Sequence, residues 1–161
     1  MNWYQKSIIR IAGVIPEEQI GMKREFAGLV INIERAAGTD RYGVNKEGKE
    51  WRTKMMYDYG FISSAKGEDG EGLDVYLGPN EKAKSVFIVH QNSPQTEKYD
   101  EDKVLIGFES AAKAKKGYLA HYDSPKFFGG MSEISLDEFK DIIENHKDGK
   151  VSWKKAKEID L

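Results

Sequence analysis

From Leu29 to Phe108 the apolar residues come in short bursts, each bounded by Gly, Pro, Asn or Asp. That pattern directs the chain toward many short strands, because β-branched and aromatic residues suit a pleated surface while the bounding residues suit turns. Leu29-Val30-Ile31-Asn32-Ile33-Glu34 runs into the breaker series Ala37-Gly38-Thr39-Asp40 and reads as a strand entering a turn. Arg41 to Val44 and Glu50 to Met56 flank the polar loop Asn45-Lys46-Glu47-Gly48, which predicts a hairpin with Trp51 and Arg52 in its second arm. Tyr57 to Ile62, Leu73 to Leu77, Lys84 to Gln91 and Val104 to Phe108 supply further strands, enough for a small barrel.

Helices are expected only late in the chain. Ser110 can cap a helix from Ala111 to about Tyr122, although Gly117 inside it costs about 1 kcal/mol relative to Ala. Ser135 followed by Glu138 forms a capping box, and Leu136, Phe139, Ile142 and Ile143 then make one apolar face. Lys147-Asp148-Gly149-Lys150 closes that helix. The expected class is α+β: a small closed or partly open β-barrel with two flanking C-terminal helices. Its 161 residues suit one domain with trimmings: a docking arm over 1–25, a domain over 26–147 and a tail over 148–161.

Composition removes several function classes. Lys plus Arg number 25 against 27 Asp plus Glu, so no global charge calls for nucleic acid or an anionic membrane. No cysteine is present, which excludes disulfides, thiolate zinc sites and thiol nucleophiles. The longest apolar stretches fall far short of the roughly 20 residues of a membrane span, and Met1 to Ala12 lacks the apolar core of a secretion signal. That start, with Trp3 and Tyr4 among its residues, reads as a docking arm or a short amphipathic helix, and its aromatics offer an anchor to a larger assembly.

Chemistry concentrates in one loop. Glu68, Asp69, Glu71 and Asp74 crowd four carboxylates around Gly70 and Gly72, an arrangement that calls for a cation. Magnesium takes one or two carboxylates and completes its shell with waters and phosphate oxygens, and the glycines let Asp69 and Asp74 converge from the two ends of the loop. The same residues also make an ordinary solvated acidic turn, and spacing alone leaves both readings open. Tyr99-Asp100-Glu101-Asp102-Lys103 forms a second charged group before Val104, either facing the first or simply solvated. Arg41 and Arg52 sit on successive hairpin arms as candidate phosphate forks or as surface residues.

The order of these features resembles the soluble inorganic pyrophosphatase family, especially its phage and mobile-element branch. The matching segments are Trp51-Arg52, Asp58-Tyr59-Gly60-Phe61-Ile62, Asp69-Gly70-Glu71, Leu73-Asp74-Val75 and Gly78-Pro79. Two later ones, Tyr99 to Val104 and Ile134-Ser135-Leu136-Asp137-Glu138-Phe139, extend the resemblance over roughly Gly28 to Asn145. It implies an oligonucleotide-binding-like barrel, two or more Mg2+ ions, and pyrophosphate or another small phosphoanhydride as substrate. Asp69 and Asp74, with Asp100 or Asp102 and with Glu34, would hold metal, and Glu71 would activate the water. Arg41, Arg52, Tyr59, Lys103 and Tyr122 would contact the substrate. The implied setting is a host cytoplasm or a phage particle, with phage or mobile-element proteins as partners of the N-terminal arm and a homo-oligomer left open.

Departures from the family pattern define an alternative. Gly43 stands where many classical members carry glutamate, Met55 where they carry tyrosine, Asp123 where a lysine is expected, and His90 where the phage branch often has aspartate. Glu71 adds a methylene at the water, and a displacement near 1 Å at a reacting group can cost about a hundredfold in rate. The alternative is therefore a catalytically weakened scaffold in a phage particle or mobile element. A nucleic-acid-binding barrel ranks below both, because the aromatic strand from Tyr57 runs into acids rather than lysines.

Overall fold

The computed structural model describes residues 22–45, 47–66, 72–146 and 151–161. Ten strands and two helices lie among them, so the α+β class holds. In chain order the strands are β1 Met22–Phe26, β2 Leu29–Arg35, β3 Asp40–Val44, β4 Glu50–Lys54, β5 Asp58–Lys66, β6 Gly72–Leu77, β7 Ser85–Asn92, β8 Tyr99–Ile106, β9 Phe128–Ser135 and β10 Lys157–Ile159. The helices are α1 Ala111–Leu119 and α2 Leu136–Asn145. Eight strands form one sheet in the order β1-β2-β5-β6-β8-β7-β9-β10, while β3 and β4 pair as a separate hairpin. Pairings among the described residues run in this open order, and a closed barrel is not among them.

The strand order places the polar residues of interest side by side. β8 lies between β6 and β7, parallel to the first and antiparallel to the second, with Val75 opposite Val104. Asp74 on β6 is thereby brought next to Lys103 on β8.

Alternation along the central strands splits the core into two layers. Val75, Leu77, Val86, Ile88, Val104 and Ile106 face one side, where Phe139 and Ile143 of α2 cover them. Tyr76, Phe87, Val89 and Leu105 face the other, against Ala114 and Tyr118 of α1. Central strands buried on both faces read as continuous apolar runs, which is why Val86 to Val89 shows no polar alternation. Both helix starts follow local rules: Ser110 accepts from the Lys113 amide and Ser135 from the Glu138 amide.

The chain already belongs to the sheet from Met22, since β1 pairs with β2 over its whole length and its first four residues, Met22 to Glu25, fall in the span assigned above to the docking arm. The tail is docked as well. Its Trp153 ring stacks on Phe139 at 5.8 Å, and β10 pairs with β9.

At Gly60 a Cβ would stand 2.1 Å from the Asn32 carbonyl oxygen, so only glycine allows β2 and β5 to approach this closely. Nearby, the β2–β5 register slips between Ile33 and Arg35, with Ile33 opposite Gly60 and Arg35 opposite Tyr59. This bulge turns Arg35 away from the layer of Ile31 and Ile33 and onto the face of Tyr59.

Candidate active site

On the α1 side of the sheet a buried ammonium organises the polar residues. Lys103 Nζ donates to Asp74 Oδ2 at 2.7 Å and to the Tyr59 hydroxyl at 2.9 Å, and it lies 2.9 Å from Glu101 Oε1. All three donors of the ammonium are thus used, the condition under which a charge 4% exposed is tolerated. Burial opposes both charges, but each ion outweighs it for the other. Lys103 is held well above the usual lysine range, and Asp74 well below the usual carboxylate range.

Phenol side chains pack around this cluster. Tyr59 packs on Tyr76 with ring centroids 4.7 Å apart, and the Tyr76 and Tyr122 hydroxyls meet at 3.0 Å. Burial pushes the phenols of Tyr59 and Tyr76 upward, so both stay protonated at neutral pH. Gln91 links this shell to the carboxylates, donating to Glu101 at 3.3 Å and accepting from the Tyr118 hydroxyl at 2.6 Å.

The two hairpin arginines part company. Arg41 turns inward, 8% exposed, with its guanidinium over the Trp51 ring. Arg52, one position out of phase on the partner arm, points outward, where it is paired with Asp40 and lies over Tyr42.

The β8 carboxylates are sorted by strand parity. Glu101 shares the face of Lys103, while Asp102 points to the opposite layer. There its Oδ1 lies 2.8 Å from His90 Nδ1 and its Oδ2 accepts from Trp153 Nε1 at 2.9 Å. His90 Nε2 in turn lies 2.8 Å from Ser132 Oγ. The order Ser132, His90, Asp102 has the distances of a hydrolase triad, but Ser132 is 5% exposed on a strand paired along both edges. Amides committed to a ladder are not aimed at an oxyanion, so this relay serves to fasten the tail through Trp153.

Of the residues expected from sequence, the structure brings together Asp74, Lys103, Tyr59 and, through Tyr76, Tyr122. Glu34 is the residue skipped by the β2 bulge, close enough to raise the pKa of Arg35. Asp100 is exposed near the start of β8. Asp69 and Glu71 lie outside the described residues, as do Trp3, Tyr4 and the rest of 1–21. Among the described residues no three His, Asp or Glu side chains converge closely enough to hold a metal ion. Asp74 and Glu101 nevertheless offer hard oxygen donors on one face, the ligand type magnesium takes in ones and twos beside waters and phosphate oxygens.

Sequence reasoning passed over Glu101 and Arg35. Glu101 was visible in the parity of β8, two residues from Lys103 and therefore on its face. Arg35 carried no comparable signal, because only the bulge turns it inward.

No helix among the described residues is long and apolar enough to cross a membrane. Compared with known families, the chain matches the family model described as Inorganic Pyrophosphatase over residues 18–144. No curated protein matches the chain.

Proposed function

From the premise that the chain belongs to the inorganic pyrophosphatase family, we propose that it hydrolyses pyrophosphate, or a closely related phosphoanhydride, to phosphate with magnesium. The observation that carries this reading is the buried Lys103 held by Asp74, Glu101 and Tyr59. Phosphoryl transfer leaves the protein little covalent work. It needs charge neutralisation and positioning, and this cluster supplies both.

Asp74 and Glu101 are the described residues that would hold magnesium, with Asp69, which lies between β5 and β6 in the sequence and outside the described residues. Bound there, the metal would neutralise phosphate charge and acidify a water. Lys103 and Arg41 balance the negative oxygens of the substrate. Tyr59 accepts from Lys103 and keeps its own proton to donate to a phosphoryl oxygen, a role its raised pKa protects. Tyr122, paired with Tyr76, offers a second hydroxyl on the leaving side. Glu71 is assigned to draw a proton from the attacking water. Arg52, outward-facing and tied to Asp40, would reach substrate only by leaving that partner.

A colourimetric assay on the full chain tests the function: phosphate should appear from pyrophosphate on adding magnesium and stop on chelation, and no release would refute it.

One feature favours the weakened-scaffold alternative. At Gly43 a Cβ would stand 2.1 Å from the Trp51 ring, so the indole occupies the place of the classical glutamate. Buried Met55 likewise contributes no hydroxyl. Under that reading the chain binds phosphate without turnover and serves a phage particle or mobile element.

A further inference from the structure

Arg35 is 1% exposed, and none of its three guanidinium nitrogens has a hydrogen-bond partner among the described residues. A guanidinium carries five donors and no acceptor, so this is an unusually complete vacancy for so buried a group. Burial, and then the neighbouring Arg41, lower its pKa to about 9, which still leaves it charged at neutral pH. Arg41 also has a buried Nε with no hydrogen-bond partner among the described residues. Glu34, adjacent in the chain, eases the charge through its field. A buried guanidinium that feels a second buried one is strongly unfavourable unless an anion completes them. The bulge that aims Arg35 at this face is the kind of feature that re-aims a side chain beside a site.

We propose that Arg35 and Arg41 together seat one unesterified phosphoryl group, and that Arg35 restricts the substrate to compact inorganic phosphoanhydrides. The pairing follows from the planar fork of arginine, which matches two phosphate oxygens at once. The restriction follows from burial: Arg35, 1% exposed and opposite Tyr59 in the β2–β5 register, would meet only a terminal group with no organic substituent behind it. The identity of the anion rests on the hydrolase reading above.

The test is titration calorimetry on the full chain with chelator present, using inorganic phosphate and methyl phosphate as probes. The wild type should bind inorganic phosphate at least about tenfold more tightly than the ester. Arg35→Met should weaken phosphate binding by about ten- to a hundredfold, the usual worth of a hydrogen bond to a charged group. Arg35→Lys should fall between, and unliganded Arg35→Met should melt no lower than the wild type, because it removes an unpaired buried charge. Arg35→Gln replaces it should the methionine variant not fold. Unchanged phosphate affinity in the variant, no phosphate binding by the wild type, or failure of both variants to fold would overturn the proposal. Binding is measured without magnesium or turnover, so the two readings fail separately. A wild type that binds phosphate through Arg35 but never hydrolyses pyrophosphate overturns only the enzyme. An active wild type whose phosphate affinity ignores Arg35 overturns only this assignment.

Discussion

Lys103 Nζ donates to Asp74 Oδ2 at 2.7 Å across the parallel pair β6 and β8, both side chains about 5% exposed. Breaking a buried pair from one side strands the other charge and costs about 3–5 kcal/mol. Lys103→Met should lower stability by that order in urea unfolding, and Asp74→Asn added to it should recover part of the loss. Equal stability of Lys103→Met and wild type would show that the pair is not formed.

His121 sets the acid limit of stability. Its Nδ1 donates to the Gly117 carbonyl at 2.8 Å and its Nε2 accepts from the Met56 amide at 3.0 Å, so the ring is neutral and has no place for a second proton. Burial lowers its pKa to about 4 from 6.5. Between those values the unfolded chain binds the proton and the folded one does not, so stability is retained above pH 6.5 and falls toward pH 4. The loss is on the order of 3 kcal/mol. Melting temperatures of wild type and His121→Gln from pH 7.5 to 4.5 check this: the wild type should fall more steeply.

Gly43 faces the Trp51 ring, with room for hydrogen alone. Gly43→Ala should destabilise the chain by about 1–3 kcal/mol through overpacking, and the loss should shrink in a Trp51→Ala background. Chemical denaturation of the two single variants and the double variant measures the coupling.

Much of this architecture is legible because it is local. Ser110 and Ser135 cap their helices through contacts within four residues; β2, β5, β6, β7 and the second half of β8 follow apolar runs closed by turn residues, and β3 and β4 follow from the polar loop between them. Three strands were hidden. β1 buries only Phe26, β9 is diluted by Gly129 and Gly130, and β10 spans three residues, so each is specified by its pairing partner rather than by its own composition. The site divided along the same line. Asp74, Lys103 and Tyr59 stood out by residue type and order, whereas choosing Glu101 over Asp102 required strand parity. Arg35 depended on a bulge, which leaves no mark in a single sequence.

The most direct measurement is magnesium-dependent phosphate release from pyrophosphate by the full chain, beside Glu101→Gln and Asp102→Asn. Turnover in the wild type should depend on magnesium, and Glu101→Gln should lower it at least about tenfold or shift its half-saturating magnesium upward. Asp102→Asn should melt earlier, through loss of the His90 and Trp153 contacts, yet keep the wild-type magnesium dependence below its melting temperature. No release by the wild type, or a magnesium dependence that follows Asp102 and ignores Glu101, would contradict a phosphoanhydride hydrolase built on the Asp74–Lys103 face.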